Sequence, residues 1–124
     1  VKQNKLTYAQ LQNQDGKYVS PSEDSFKAAA AGANWSQSFY QILTNQPGQA
    51  AWPITSATFI LMHKAQDKPA QAQASLKFFE WAYKSGDQTA SSLDYVPMPD
   101  NVKDVIFKSW GGIQDTAGKS INLQ

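Results

Sequence analysis

The chain has 124 residues, enough for one modest domain with a real core. At 41% hydrophobic, 12% aromatic and 17% charged, it reads as globular rather than disordered. Net charge is +1, with 11 basic and 10 acidic residues spread along the chain. This pattern argues against a nucleic-acid or membrane surface, and no apolar run has the length of a membrane span. Every basic residue is a lysine, so the planar guanidinium fork that grips phosphate or carboxylate bidentately is absent. Absence of cysteine excludes disulfides, thiolate metal sites and Cys nucleophiles, and it suits a periplasmic protein.

Val1-Lys2-Gln3-Asn4 carries no initiator Met, which is expected of a processed N-terminus or a cut within a longer protein. Leu6-Thr7-Tyr8-Ala9-Gln10-Leu11 alternates apolar and polar residues, the period of a half-buried strand. Asp15-Gly16 is a turn signal and Lys17-Tyr18-Val19 a second strand, predicting a hairpin. In Ser20-Pro21-Ser22-Glu23, Ser20 is expected to cap a helix, with Pro21 at its first position and Glu23 completing a capping box. That helix carries Phe26, Ala29 and Ala30 on one side and should stop at Gly32.

Residues 34–49 mix Trp35, Phe39, Ile42 and Leu43 with many Ser, Gln and Asn, and read as irregular with a short ordered piece. Ile54 to His63 is expected to be a strand, with Phe59-Ile60-Leu61-Met62 buried on both faces in a mixed sheet. Pro69 opens a helix through Ser85, ended by Gly86. Ala72, Leu76, Phe79 and Tyr83 form one apolar stripe, and Phe78, Trp81 and Ala82 a second, so it wants neighbours on more than one side. Pro97-Met98-Pro99-Asp100 opens the last helix, with Val102, Val105, Ile106 and Trp110 on one face and Gly111-Gly112 as its stop; a polar tail runs from Asp115 to Gln124.

No arrangement of residues makes an enzyme site. His63 is the only histidine and reads as a surface or structural residue, excluding a His-based metal cage. Ser85-Gly86-Asp87-Gln88-Thr89 superficially fits an anion-binding turn, but a helix C-cap with a left-handed Gly86 is the favoured reading. Ser109 has no base in view, and Asp100 with Asp104 read as a solvated helix start. Trp81 and Trp110 are expected in the core. Trp35 and Trp52 lie in loops, where exposed indoles would suit a secreted interaction or carbohydrate-binding module. Asn34-Trp35-Ser36 matches a glycosylation sequon too short to carry weight.

Three runs carry a resemblance: Ala51-Trp52-Pro53-Ile54-Thr55-Ser56-Ala57-Thr58-Phe59-Ile60-Leu61, then Leu76-Lys77-Phe78-Phe79-Glu80-Trp81-Ala82-Tyr83-Lys84-Ser85-Gly86, then Leu93-Asp94-Tyr95 with Pro97-Met98-Pro99. In this order they resemble the C-terminal portion of the bacterial periplasmic phosphate-binding proteins, the solute receptors of phosphate ABC transporters. The likeness extends from Val1 to Lys119. It implies an α/β chain that is part of a type II-like periplasmic binding protein fold, with a mixed sheet and flanking helices contributing to two lobes. Residues 1–51 would close lobe 2, and residues 52–124 would form the hinge return and the C-terminal part of lobe 1. Trp52, Pro53, Ile54, Thr55 and Ser56 would be the hinge itself.

In that family phosphate is held by backbone N–H groups, Ser and Thr hydroxyls, an Arg and an Asp, from regions to which nothing here aligns. The resemblance therefore implies no phosphate ligand, catalytic residue, metal or cofactor in this chain. It implies a periplasmic location, with inorganic phosphate (for the parent protein), an ABC transporter permease and the missing N-terminal portion as partners. It also implies that the two parts need not share one core. Apolar faces around Phe78, Trp81 and Val105 would await the missing portion.

Overall fold

The structure is a computed structural model, and it describes residues 4–121. The sequence's Asp-Gly signal does close a hairpin. Strand β1 (Leu11–Gln12) pairs antiparallel with β2 (Tyr18–Val19), Leu11 opposite Val19 and Gln12 opposite Tyr18. Pairing is confined to the residues that the turn brings face to face. Leu6 and Tyr8, expected in the first strand, are exposed and lie outside any element because nothing pairs with their backbone.

Helix α1 (Glu23–Ala31) starts one hydroxyl later than the Ser-Pro signal suggested. Ser22 is the N-cap: its Oγ accepts from the Ser25 amide at 3.2 Å, and Ser25 Oγ accepts from the Ser22 amide at 2.9 Å. A serine at the third helical position thus completes the capping box, and Pro21 precedes the cap. Glu23 is left to pair with Lys27 one turn on, at 2.7 Å. Gly32 ends the helix as expected, although in the right-handed region.

Residues 32–64 contain no regular element. They are pinned at points: Trp35 Nε1 donates to the Ala30 carbonyl at 2.6 Å, and Leu43 is buried. The strand expected over residues 54–63 does not form. A strand needs a partner, and among the described residues no backbone group from Ser56 to Met62 has a hydrogen bond. A shorter strand, β3 (Ala65–Gln66), does find one. It pairs in parallel with β4 (Gln114–Asp115), and the intervening helices provide the long crossover that parallel pairing requires. The described sheets are therefore two separate strand pairs, one antiparallel and one parallel, and not the expected mixed sheet.

Helix α2 (Pro69–Ser85) has its expected bounds, with Pro69 at the first position. Its first stripe is inside: Ala72 and Leu76 are buried, Phe79 and Tyr83 half-buried. Of the second, Phe78 and Trp81 are outside, at 60% and 59% exposure. Gly86 ends α2 and at once begins α3 (Asp87–Ser92), with φ −92° rather than the left-handed value expected of a cap. Glycine is required there for space. A Cβ would stand 2.4 Å from the Ala82 carbonyl oxygen. Helix α4 (Asp100–Ser109) runs into a 3-10 turn at Trp110–Gly112. Its Val102, Val105, Ile106 and Trp110 face inward as the spacing predicts, so Val105, expected on a face awaiting the missing portion, packs against the chain's own cluster instead. The segment after β4 is less of a tail than expected, since Ile121 is buried; Val1 to Gln3 and residues 122–124 lie outside the described residues.

Two apolar clusters hold the chain. Ala30, Trp35 and Leu43 pack with Val102, bordered by Phe39, Ala57, Met98 and Ile106, so residues from both sides of the 51/52 boundary share a core. Ala72, Leu76, Ile113 and Ile121 form the second cluster, with Met62 and Trp110 against it.

Candidate functional site

The Trp52–Ser56 stretch is fastened at one end and open at the other. Trp52 is 8% exposed, its amide donates to the Ser25 carbonyl at 3.0 Å, and its indole meets the Phe26 ring edge-on at 6.3 Å. The Asn45 amide donates to the Pro53 carbonyl at 2.8 Å, and Thr55 Oγ1 donates to the Trp52 carbonyl at 3.0 Å. Ile54 and Ser56 are exposed. Immediately beyond, Phe59 and Ile60 are half exposed and Leu61 is 92% exposed.

Residues 57–60 form a ridge between two cavities of about 480 and 440 Å³, both also bounded by Phe79, Tyr83 and Met98. The first gathers the hydroxyl residues Thr55, Ser56 and Thr58 with Lys27, Asp87 and Asp94. This is a poor seat for an anion. The Thr55 hydroxyl already donates to the backbone, and Lys27 Nζ is paired with Glu23, which raises the ammonium pKa above its ordinary value. Asp87 is held at 2.6 Å by Lys103, and two carboxylates on the wall would repel phosphate. Burial raises the Tyr83 phenol above its ordinary value, keeping it a neutral wall.

The remaining sequence candidates are dispersed. His63 is exposed at the end of the open stretch. Ser109 Oγ donates back to the Ile106 carbonyl at 2.6 Å, and Asp100 lies 3.5 Å from Lys103. In the Ser85-Gly86-Asp87 junction the Gly86 amide is spent on the Ala82 carbonyl, so no anion nest opens there. Among the described residues no group of three His, Cys, Asp or Glu side chains could hold a metal ion. Trp35 and Trp52 are buried, which removes the indole platforms on which the carbohydrate-binding alternative rested; Trp81, expected in the core, is outside. Trp110 is half-buried against Phe107, with ring centroids 5.1 Å apart.

Sequence reasoning missed two residues. Asn13, just before the Asp-Gly turn, is 6% exposed and joins the hairpin to residues 48–51. Lys103 is buried between Asp87 and Asp100, and only its i,i+3 spacing from Asp100 hinted at this.

No protein-family model matches the chain. Known proteins do. The chain is 45% identical over 124 residues to the phosphate-binding protein PstS of Pasteurella multocida, covering 98% of this chain and 36% of that protein. It is 46% identical over 112 residues to that of Haemophilus influenzae, covering 89% of this chain and 34% of the relative. The chain belongs to the phosphate-binding protein family. It spans about a third of the length of the curated relatives it matches, so within that family it corresponds to a portion. A more distant phosphate-binding protein, from Methanocaldococcus jannaschii, is 27% identical over 114 residues. No helix among the described residues is long and apolar enough to cross a membrane.

Proposed function

We propose that this chain is the C-terminal portion of a periplasmic receptor that binds inorganic phosphate and delivers it to an ABC transporter permease, and that this portion supplies framework and hinge rather than phosphate ligands. The reading is carried by identity of 45–46% to phosphate-binding proteins along nearly the whole chain. The lack of any arginine supports the second half, as does the Lys27–Glu23 pair beside two wall carboxylates in the hydroxyl-lined cavity. The role is non-enzymatic.

In this reading the chain is part of a type II-like binding-protein fold with a mixed sheet. Residues 1–51 close the second lobe, Trp52 to Ser56 return the chain, and residues 52–124 complete the first lobe. The division cuts through the Trp35–Leu43–Val102 cluster, so adding the rest of the sequence would exchange that packing for other contacts. The stretch from Ser56 to Met62, apolar and without backbone partners, is where the remainder would add strands, and Phe78 and Trp81 are a second face for it to cover.

Isothermal calorimetry with phosphate tests the reading. The isolated chain should give no saturable heat, and clear micromolar binding would show that a phosphate site lies within these residues.

A further inference from the structure

Asn13 is the only residue of the hairpin turn that is buried, and its side chain is fully engaged. Oδ1 accepts from the amides of Asp15 at 3.1 Å and Lys17 at 3.0 Å, holding the turn. The two N–H groups of Nδ2 are shared among the carbonyls of Gly48 at 3.1 Å, Gln49 at 3.0 Å and Ala51 at 3.2 Å. Three carbonyls converge because Gly48 sits at φ 128°, a conformation L side chains rarely adopt, and the Ala51 amide folds back to the Gly48 carbonyl at 3.0 Å. One residue later the Trp52 amide docks on the Ser25 carbonyl.

We propose that Asn13 is a positioning residue that locks the approach to the hinge onto the hairpin and α1, so that residues 44–55 move with that body and the pivot begins at Ser56. The hinge meaning rests on the receptor reading above; the clasp itself does not. Up to Thr55 the path is tied by Asn45 N to Pro53 O, Trp52 N to Ser25 O and Thr55 Oγ1 to Trp52 O. From Ser56 to Met62 no hydrogen bond holds it among the described residues. A buried carboxamide suits this task because it alone among small side chains offers two donors and an acceptor of fixed geometry. An aspartate of the same shape keeps the acceptor and sets a carboxylate against three carbonyls.

Amide hydrogen exchange on the whole chain tests this for the wild type, Asn13→Asp and Asn13→Ala. In the wild type, Asn45, Ala51 and Trp52 should exchange slowly and residues 57–62 fast. Asn13→Asp should accelerate Ala51 and Trp52 about tenfold or more while Asp15 and Lys17 stay protected. Asn13→Ala should release both sets, and the bonded amides of residues 72–85 in α2 should be unmoved in either variant. Unchanged exchange at Ala51 and Trp52 in Asn13→Asp overturns the proposal, as does equal acceleration throughout α2, which would mark a general structural role. Wild-type exchange at Asn45, Ala51 and Trp52 as fast as at 57–62 overturns it too. These outcomes stand whatever the phosphate titration gives, so failure of the clasp and failure of the receptor reading are separable.

Discussion

Residues 44–55 and 56–63 are consecutive stretches without regular secondary structure, yet their backbones are satisfied in opposite ways. The first is tied to the hairpin and α1 through Asn13, Ser25, Asn45 and Thr55, and it buries Ala51 and Trp52. The second has no bonded backbone from Ser56 to Met62; Leu61 is exposed and Phe59 and Ile60 half exposed, while Ala57 and Met62 rest on the two apolar clusters. The contrast teaches that absence of regular structure is not one condition. An irregular segment can be held by side-chain clasps, or it can leave its backbone unpaired and present an apolar edge.

The largest effect that sharpens this comparison comes from matched leucines. Leu76→Ala, at a fully buried site on α2, should cost about 3 kcal/mol in denaturant unfolding, whereas Leu61→Ala should change stability by less than about 0.5 kcal/mol. Comparable losses would mean that Leu61 is packed in solution. On the fastened side, Ser25→Ala removes one half of the capping box and should cost about 1–2 kcal/mol, read from the same melts. Replacing Leu61 and Phe78 together by Ser should leave the melting temperature nearly unchanged, since both side chains are exposed.

The smallest effect concerns pH. The folded Tyr83 phenol has a pKa raised by burial. Its contribution to stability is therefore complete below the unfolded value of about 10 and lost as pH rises through the folded value. Tyr83→Phe should flatten the fall in stability above pH 10 in alkaline melts, with little change at pH 7.

What was legible in the sequence follows the same divide. Signals satisfied within a few residues came through, namely the Asp15-Gly16 turn and the span of α2 from Pro69 to Ser85. So did the inward face of α4, whose helical spacing marks it although its partners Trp35 and Leu43 are distant. The cap of α1 moved from Ser20 to Ser22 because adjacent hydroxyls compete and only the geometry of Ser25 decides between them. Residues 54–63 read as a strand because the continuous apolar run Phe59-Ile60-Leu61-Met62 records what a segment is suited to, and pairing depends on what lies beside it. Helical spacing puts Trp81 in the core because an apolar stripe does not show whether anything covers it, whereas the resemblance had left Trp81 on an open face and it is exposed. Asn13 was invisible as a clasp because the carbonyls its Nδ2 binds lie 35 or more residues away, even though the Asp15 and Lys17 amides on its Oδ1 are close in sequence. The family was legible from the three runs around Trp52, Phe79 and Tyr95.

On the proposed receptor reading, the Ser56–Met62 stretch pairs with the rest of a phosphate-binding protein. Hydrogen exchange over residues 57–62 measures this most directly, first on the chain alone and then after mixing with the unmatched remainder of the Pasteurella multocida relative. Fast exchange is expected in the chain alone, and strong protection in a one-to-one complex that has gained phosphate binding. Protection already present in the chain alone, or a phosphate-binding complex in which these amides stay open, would contradict it.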